Sequence, residues 1–223
     1  MHKSILVVVS HPDDEVLGCG GTIAKHVEKG DIVNLAIMTD GVGARLKTKS
    51  SNVKSRINAL KKSKFLLGIS KVYRLKLKDN SMDKIPLLNI IQKLEKIIKK
   101  TNPTIIYTHH HGDLNIDHRI TQAAVMTACR PIPESNVSEI YGFEVLSSTE
   151  WANSPGNLFN PTLFIDVSKY FNTKLKALDA YSEEMRKAPH SRSISHVKIL
   201  AKHRGYSVGI DLAEAFEVYR LIK

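Results

Sequence analysis

Short apolar runs rich in β-branched residues alternate with longer stretches of helical periodicity along most of the chain. The first run, Ile-Leu-Val-Val-Val at 5–9, is apolar at consecutive positions rather than at every second one. That pattern is typical of a strand buried on both faces in a parallel sheet. Strands are predicted at 4–10, 31–39, 71–77, 104–108, 139–145 and 162–167, and helices at 15–29, 51–67, 84–101, 118–129, 168–184 and 193–203.

The alternation of strands and helices predicts an α/β fold, a Rossmann-like open and mostly parallel sheet with helices on both faces. A length of 223 residues suits one domain, and neither a repeat nor a linker divides the sequence. We therefore expect a single domain over 1–223. Ligands in such sheets bind beyond the carboxyl ends of the strands, so the residues after the first and fourth strands are the first candidates for a site.

The composition is that of an ordinary globular protein, but its charge is strongly positive. Hydrophobic residues make up 42% and charged residues 25%, which argues against a disordered or fibrous chain. The net charge of +11 favours anionic partners such as phosphorylated metabolites. The sequence shows no recognition helix, zinc finger or aromatic RNA-binding motif, so nucleic acid is not an expected partner.

The cysteines and the apolar runs favour a cytoplasmic protein. Cys19 and Cys129 are the only cysteines, and neither has the neighbouring cysteine that a disulfide framework or a thiolate metal site needs. The run at 5–9 is too short for a signal-peptide core, and no run approaches the roughly 20 residues of a membrane span. A homo-oligomer is compatible with the sequence.

Two segments dense in potential metal ligands follow predicted strands. His-Pro-Asp-Asp-Glu at 11–15 follows the first strand, and a loop rich in histidine and aspartate at 109–118 follows the fourth. A catalytic zinc site needs about three imidazole or carboxylate ligands and an open position for water. His11 and Asp14 supply two, and one distant histidine completes the set. The second carboxylate is then free to take a proton from metal-activated water, as amide hydrolysis requires.

These residues resemble the PIG-L/LmbE-like family of zinc-dependent N-deacetylases, whose hallmark is a His-Pro-Asp-Asp-Glu segment after the first strand. The resemblance implies that His11, Asp14 and His118 hold Zn²⁺, with another divalent metal such as Fe²⁺ as the alternative. It also implies that Asp13 is the general base that later acts as general acid. Further similarity lies in Gly-Cys-Gly-Gly-Thr at 18–22, Thr-Asp-Gly-Val-Gly at 39–43, Asp-His-Arg at 117–119, Pro-His-Ser-Arg-Ser at 189–193 and Ala-Glu-Ala-Phe at 213–216.

Two positions depart from the family pattern. Many members carry a histidine three residues before the third ligand, where it helps to stabilise the oxyanion, but Asn115 stands there. An asparagine amide can donate a hydrogen bond to an oxyanion, but it cannot carry positive charge or transfer a proton. His190 is a candidate for the missing imidazole. The glutamate that family members tend to carry three residues after the helix arginine, here Arg56, is replaced by Ala59.

Four further candidates have structural alternatives. Asp117 either orients a metal ligand, as carboxylates do around zinc histidines, or caps the following helix. Asp40 either contacts substrate hydroxyls or supports a ligand, with a simple turn as the alternative. Arg45 and Arg56 are candidates for binding a substrate phosphate, because a guanidinium matches that anion in bidentate fashion. Exposed helix arginines are common, so a solvated surface is the alternative for both.

Two other segments look like ligand sites but favour structural interpretations. Side chains of adjacent residues diverge, so at most one or two of the histidines at 109–111 are expected to point inward, and a rim position or plain exposure is favoured over metal ligation. The segment 18–22 lacks the third glycine of a dinucleotide fingerprint, since Ile23 stands there. Its small residues are expected to let the first helix pack closely on the sheet. Glu214 and Phe216 are expected to pack the last element on the core.

The sequence thus predicts a zinc-dependent hydrolase that removes an N-acetyl group from an acetamido sugar or sugar conjugate and releases acetate. The positive charge favours a phosphorylated or nucleotide-linked substrate. Two alternatives stay open. One is a metal-dependent hydrolase of another amide or of a carbamoyl group, and the other is a basic non-catalytic module that binds nucleic acid or an acidic partner.

Overall fold

The computed structural model of the protein describes residues 2–43, 50–152 and 156–223. Two 3₁₀ helices, Met82–Lys84 and Thr149–Trp151, lie between the longer elements. The helices in the described residues are α1 (Asp14–Glu28), α2 (Ser50–Leu67), α3 (Leu87–Thr101), α4 (Ile116–Ala128), α5 (Phe171–Asp179) and α6 (Ile194–Tyr206). The strands there are β1 (Ser4–Val9), β2 (Ile32–Thr39), β3 (Lys71–Leu77), β4 (Ile105–His109), β5 (Glu139–Phe143), β6 (Leu163–Asp166) and β7 (Ala213–Leu221).

The strands form one sheet in the order β3-β2-β1-β4-β5-β7-β6. Strands β1 to β5 pair in parallel, whereas β7 runs antiparallel to both of its neighbours. The strand order reverses at β1, so the chain segments that leave β1 and β4 diverge and open a crevice at the carboxyl edge. The prediction of an open, mostly parallel α/β sheet with helices on both faces is confirmed.

Strand β1 shows why a central strand needs apolar residues at consecutive positions. Ile5, Val7 and Val9 belong to the core beneath α1, α2, α5 and α6. Leu6 and Val8 belong to the core on the other face, beneath α3 and α4. All five side chains are fully buried, and burial of each contributes roughly 1.5–3 kcal/mol. The loop that follows β1 therefore starts from a firmly packed position.

Helix α1 lies close to the sheet because its middle consists of small residues. A Cβ atom on Gly18 would lie 2.2 Å from the Phe143 ring, and a Cβ atom on Gly21 would lie 2.8 Å from Val167. The backbone at Cys19 has non-helical angles, φ -145° and ψ 27°, and kinks the helix. The expectation that these small residues serve close packing is confirmed.

The main difference from the predicted elements is β7, which the sequence pattern did not identify as a strand. Its Glu214 side chain is buried. The carboxylate accepts hydrogen bonds from the backbone N–H groups of Gly21 (2.9 Å) and Thr22 (2.7 Å). It also pairs with Lys174 Nζ at 2.6 Å. An inward-facing carboxylate interrupts the apolar alternation by which a strand is recognised, and here it ties α1 and α5 to β7.

Two helices are shorter than predicted. Helix α3 begins at Leu87 because Pro86 occupies its N-cap position. Helix α5 ends at Asp179, and residues 180–184 form turns instead of the predicted last helical turn. Among the helices of the described ranges, none combines the length and the apolar character that a membrane crossing requires.

Candidate metal centre and active site

The turn between β1 and α1 holds Asp13 in an unusual backbone conformation. Its φ angle is 116°, in the region that favours glycine. The Asp13 backbone N–H donates to Glu15 Oε2 at 2.9 Å. The other oxygen of this buried carboxylate accepts hydrogen bonds from the Tyr181 hydroxyl (2.8 Å) and the Ser63 hydroxyl (3.2 Å). Glu15 therefore fixes the strained turn through contacts from α2 and from the segment after α5.

The three predicted metal ligands come together at the carboxyl edge of the sheet. His11 Nδ1 lies 3.2 Å from Asp14 Oδ2 and 3.2 Å from His118 Nε2. The distance between His118 Nε2 and Asp14 Oδ2 is 3.4 Å. A tetrahedral zinc ion with ligands at about 2.0–2.1 Å separates its ligand atoms by about 3.3–3.4 Å. The three donor atoms therefore fit one small divalent cation.

The electrostatics of this cluster favour positive charge. Burial lowers the pKa of His118, but Asp14 and Asp113 outweigh that effect and raise it to about 9. Burial likewise opposes charge on His11, yet the neighbouring carboxylates raise its pKa well above the ordinary value. For Asp14 the two histidines overcome burial and hold the pKa well below its usual range. A bound cation would supply the positive charge that the surrounding carboxylates favour.

Asp113 orients His118 from the side away from the donor triangle. His118 Nδ1 lies 3.1 Å from Asp113 Oδ1. The same carboxylate accepts hydrogen bonds from the hydroxyls of Ser148 and Thr149, the latter at 2.6 Å. Burial would raise the pKa of Asp113, but His118 and the two hydroxyls lower it below the ordinary range. Such a carboxylate fixes the tautomer of a metal-ligating histidine and increases its basicity.

Two carboxylates contact the other nitrogen of His11. Its Nε2 lies 3.1 Å from Asp79 Oδ1 and 3.4 Å from Asp117 Oδ2. Asp117 is fully buried and accepts a hydrogen bond from the Asn80 backbone N–H at 2.7 Å. These contacts support the ligand-orienting interpretation of Asp117. The alternative, that Asp117 caps the following helix, is wrong, because Asn115 occupies the N-cap position of α4.

His11, Asp79 and Asp117 form a second group of close potential ligand atoms. Asp117 is already engaged by two backbone N–H groups, those of Asn80 and Met82. Because both oxygens of Asp117 are engaged in this way, the first triangle is the better candidate for a metal site.

Asn115 lines the cavity that the donor triangle of His11, Asp14 and His118 also lines. Its Oδ1 accepts the backbone N–H of Asp117 at 2.8 Å, which caps α4. Its Nδ2 donates to Asn80 Oδ1 at 3.2 Å. Both polar atoms of the amide thus have partners in the protein, and an oxyanion contact from Asn115 stays a prediction.

Asp13 lines the cavity, with one oxygen held by arginines and the other without a hydrogen-bond partner among the described residues. Its Oδ2 lies 2.9 Å from Arg192 Nη1 and 3.4 Å from Arg56 Nη2. Its Oδ1 is buried and has no hydrogen-bond partner among the described residues. Burial raises the pKa of Asp13, and the two guanidinium groups act in the opposite direction. A carboxylate held in this way can take up a proton and later release it.

Arg56 is buried in the site rather than exposed on its helix, since only 7% of its surface is accessible. Its Nη1 lies 2.7 Å from Glu184 Oε1. The carboxylate partner of the arginine therefore comes from the turn after α5 and not from position 59. Because Arg56 contacts both Glu184 and Asp13, its charge is largely balanced within the protein, and phosphate binding by Arg56 stays a prediction.

Two other candidates, Asp40 and His190, do not line the cavity. Asp40 closes a turn, since its Oδ1 accepts the backbone N–H groups of Val42 and Gly43, each at 3.0 Å. This geometry favours the simple-turn alternative. His190 is exposed and is not among the side chains that line the cavity, so its role as the missing imidazole gains no support. Arg45 lies outside the described residues.

Two of the three consecutive histidines are buried and the third, His111, is exposed, which agrees with the expectation that at most two of them point inward. The His109 ring stacks on His118 with centroids 3.9 Å apart. Burial lowers the pKa of His109 well below its usual value, so its imidazole is neutral at pH 7. His110 bonds to Glu217 Oε2 and to the Asn157 carbonyl, both at 2.8 Å. His109 therefore packs directly on His118, whereas His110 joins the loop after β4 to β7.

The cavity above the triangle has a volume of about 220 Å³. Its walls are polar and carry both charges, which suits a ligand with many hydroxyl groups. Of the wall residues that sequence reasoning did not assign to the site, Asp79 carried a positional signal, because it follows the carboxyl end of β3. Arg192 carried a motif signal, because it belongs to the Pro-His-Ser-Arg-Ser segment at 189–193. The walls contain Asp79, Asn80 and Asn115 on one side, Arg56, Glu184 and Arg192 on the other, and Ser147 and Ser148 at the rim.

The fold and the site define the class of this protein: an open-sheet α/β protein with a metal-type histidine and aspartate cluster at the topological switch point. The sequence model of the PIG-L family, described as GlcNAc-PI de-N-acetylase, matches residues 6–129. The Uncharacterized deacetylase YaiS of Escherichia coli (strain K12) is 35% identical over 182 residues, which cover 79% of this chain and 89% of YaiS. The chain belongs to the PIG-L family and is a hydrolytic deacetylase.

Two further comparisons extend this result over most of the chain. The probable N-acetyl-alpha-D-glucosaminyl L-malate deacetylase 2 of Bacillus cereus is 29% identical over 203 residues. This aligned region covers 86% of this chain and 90% of the relative. The solved structure of N,N'-diacetylchitobiose deacetylase from Pyrococcus horikoshii has a TM-score of 0.80 at 22% identity, covering 98% of this chain and 84% of that one. The latter similarity shows a shared fold.

Proposed function

We propose that the protein hydrolyses the N-acetyl group of an acetamido sugar conjugate, with one divalent metal on His11, Asp14 and His118 and with Asp13 as the proton carrier. The observation that carries this proposal is the donor triangle in the same cavity as Asp13, whose Oδ1 has no hydrogen-bond partner among the described residues. Zinc is the proposed metal and Fe²⁺ the alternative. Two imidazoles and one carboxylate are a ligand set that zinc accepts in catalytic sites.

The substrate class rests on the polar cavity and on the relatives. The names of two of them specify N-acetyl-alpha-D-glucosaminyl L-malate and N,N'-diacetylchitobiose as substrates. Both are acetamido sugars joined to a second group. The net charge of +11 favours a conjugate that carries phosphate or a nucleotide. Because the two arginines of the cavity are already paired, such a group would bind outside it.

The side chains divide the hydrolysis between them. The bound cation supplies polarisation of the amide carbonyl and lowers the pKa of water towards about 7. Asp13 Oδ1 accepts a proton from the attacking water as the new C–O bond forms. It returns that proton to the nitrogen as the C–N bond breaks, so acetate and a free amine leave. Arg192 holds the other oxygen of Asp13 in place during both transfers.

The proposal is tested by measuring acetate and primary amine released from a substrate panel. The panel contains N-acetylglucosamine, its β-1,4 disaccharide, a nucleotide-linked acetamido sugar and a carbamoyl compound. We expect acetate and amine in equal amounts, loss of activity on metal removal, and recovery with Zn²⁺ or Fe²⁺. Turnover of the carbamoyl compound alone would favour the other amide hydrolase. Salt-sensitive nucleic-acid binding by a metal-loaded protein without hydrolysis would favour the binding module.

The role of Asp13 is tested with Asp13→Asn, which keeps the shape of the side chain and removes the base. We expect kcat to fall by about 10²–10⁴-fold while the bound metal stays stoichiometric. Asp211→Asn is the matched control, because Asp211 is exposed and outside the cavity. Equal kcat in Asp13→Asn and the unaltered protein would exclude Asp13 as the proton carrier.

A further inference from the structure

An exposed aromatic pair, Trp151 and His190, lies close along the chain to residues of the cavity wall and takes no part in the proposed reaction. Trp151 is the only tryptophan in the sequence, and half of its surface is exposed. The His190 ring packs against it edge to face, with centroids 5.8 Å apart and an interplanar angle of 71°. An exposed large aromatic side chain with a polar handle is typical of a contact surface for a ligand.

Both members of the pair lie next to residues of the cavity wall. The Trp151 backbone N–H donates to the Ser148 carbonyl at 3.2 Å, so the two residues are separated by one 3₁₀ turn, or about 6 Å. Ser148 lines the cavity. On the other side, His190 lies two positions before Arg192, whose guanidinium reaches Asp13 at 2.9 Å. The pair is therefore carried by the two chain segments that also supply Ser148 and Arg192 to the cavity wall.

Hydrogen bonds hold these two rim segments together. The Glu150 carboxylate accepts the backbone N–H of Ser147 at 2.6 Å and also the Ser191 hydroxyl. Arg192 Nε donates to the Ser147 hydroxyl at 2.9 Å. The segment that carries Trp151 and the segment that carries Arg192 are thus joined on both sides of the aromatic pair. A ligand group stacked on Trp151 would have a defined position relative to Asp13.

We propose that Trp151, supported by His190, is an outer subsite that stacks on a second pyranose ring of the substrate. This inference rests on the proposed function. A cavity of about 220 Å³ lies below the usual ligand-pocket range of about 300–1,000 Å³, so a second ring must lie outside it. The C–H groups on one face of a pyranose offer an apolar surface to an indole. The indole N–H and the imidazole suit a hydroxylated ring better than a hydrocarbon chain.

Binding can be measured directly, because all tryptophan emission comes from Trp151. The metal-loaded protein is titrated with glucosamine and with its β-1,4 disaccharide, which are products and are not turned over. We expect a saturable emission change with the disaccharide and a much smaller one with the monosaccharide, whose single ring occupies the cavity and not the subsite. Unchanged emission with the disaccharide at saturating concentration would overturn the proposal. This measurement decides the subsite even if none of the acetylated sugars is hydrolysed, which would count against the proposed function alone.

Kinetics supply the second test. The ratio of kcat/KM for diacetylated disaccharide over N-acetylglucosamine should fall roughly 3- to 10-fold in Trp151→Ala. Trp151→Phe should restore part of the ratio, which also covers the case in which the alanine variant does not fold. Tyr206→Ala is the matched control, since Tyr206 is an exposed aromatic residue (67%) at the end of α6. An unchanged ratio in both Trp151 variants would overturn the subsite.

Discussion

Helix α1 takes part in two buried polar clusters, and they differ in how their charges are balanced. At its start, Asp14 meets His11 and His118 with their donor atoms 3.2–3.4 Å apart around one point. In its middle, backbone N–H groups meet Glu214, which pairs with Lys174 at 2.6 Å. The first cluster gathers electron-pair donors and suits an added cation. The second is an ion pair completed within the chain.

Burial does not separate the two clusters, since Asp14 is 1% and Glu214 is 5% exposed. The difference lies in the partners. A buried carboxylate that has its own lysine and two N–H donors holds structure together, whereas convergent imidazole and carboxylate donors indicate a metal site. The comparison predicts that changes in the first cluster affect metal and activity, and changes in the second affect stability.

The largest effect is expected from His118→Ala. Removal of one of three ligands should reduce bound metal far below one ion per chain and activity to background. Elemental analysis of the dialysed protein and acetate release are the measurements. His203→Ala is the control, because His203 is an exposed histidine on α6. If His118→Ala kept stoichiometric metal, the ligand assignment would be wrong.

Glu214→Gln should change stability instead. It leaves Lys174 buried without its counter-charge, which typically costs about 3–5 kcal/mol of unfolding free energy. Denaturant unfolding measures the loss, and metal content of the folded variant should stay unchanged. Adding Lys174→Met to Glu214→Gln should recover part of the lost unfolding free energy, since an apolar replacement removes the unpaired charge. Loss of metal in folded Glu214→Gln would erase the distinction between the two clusters.

Asp113→Asn tests a carboxylate that contacts one of the proposed metal ligands, His118. The amide can still contact His118 but no longer carries the charge that raises the basicity of its ring. We expect metal affinity or activity to fall by about 10–100-fold. Competition with a metal chelator measures the affinity. An affinity equal to that of the unaltered protein, with equal kcat, would reduce Asp113 to a packing role.

The smallest effect concerns the His110–Glu217 pair, in which, as in Glu214–Lys174, a carboxylate has its counter-charge within the protein. Unlike Lys174, His110 changes its charge near neutral pH. Burial lowers the His110 pKa, but Glu217 outweighs burial and raises that pKa above 6.5. The protonated imidazole therefore stabilises the folded protein at low pH, and this contribution is lost as pH rises through the pKa of His110 in the folded state. Burial raises the Glu217 pKa, but His110 outweighs burial and lowers that pKa below 4.5. The ionised carboxylate therefore stabilises the folded protein at higher pH, and this contribution is lost as pH falls through the pKa of Glu217 in the folded state. The Tm of the unaltered protein should exceed that of His110→Gln most between these two limits. A pH-independent Tm difference would contradict this.

Much of the fold and part of the site could be predicted because their signals are local. The consecutive apolar residues of β1 indicate a buried parallel strand. The segment His-Pro-Asp-Asp-Glu at 11–15 places the imidazole of His11 and the carboxylates of Asp13 and Asp14 in one turn. Strand β7 was missed because Glu214 faces inward with a partner from α5. A periodicity cannot reveal that partner.

The sequence by itself determined the α/β alternation, the ligand-bearing loops after β1 and β4, and the family to which the chain belongs. Only the tertiary structure decided which other side chains complete the site. Arg192 reaches Asp13 across 179 positions of the chain, and Glu184 reaches Arg56 from a turn that was predicted to be helical. Such contacts depend on strand order and on where helices end, so no local pattern of residues encodes them.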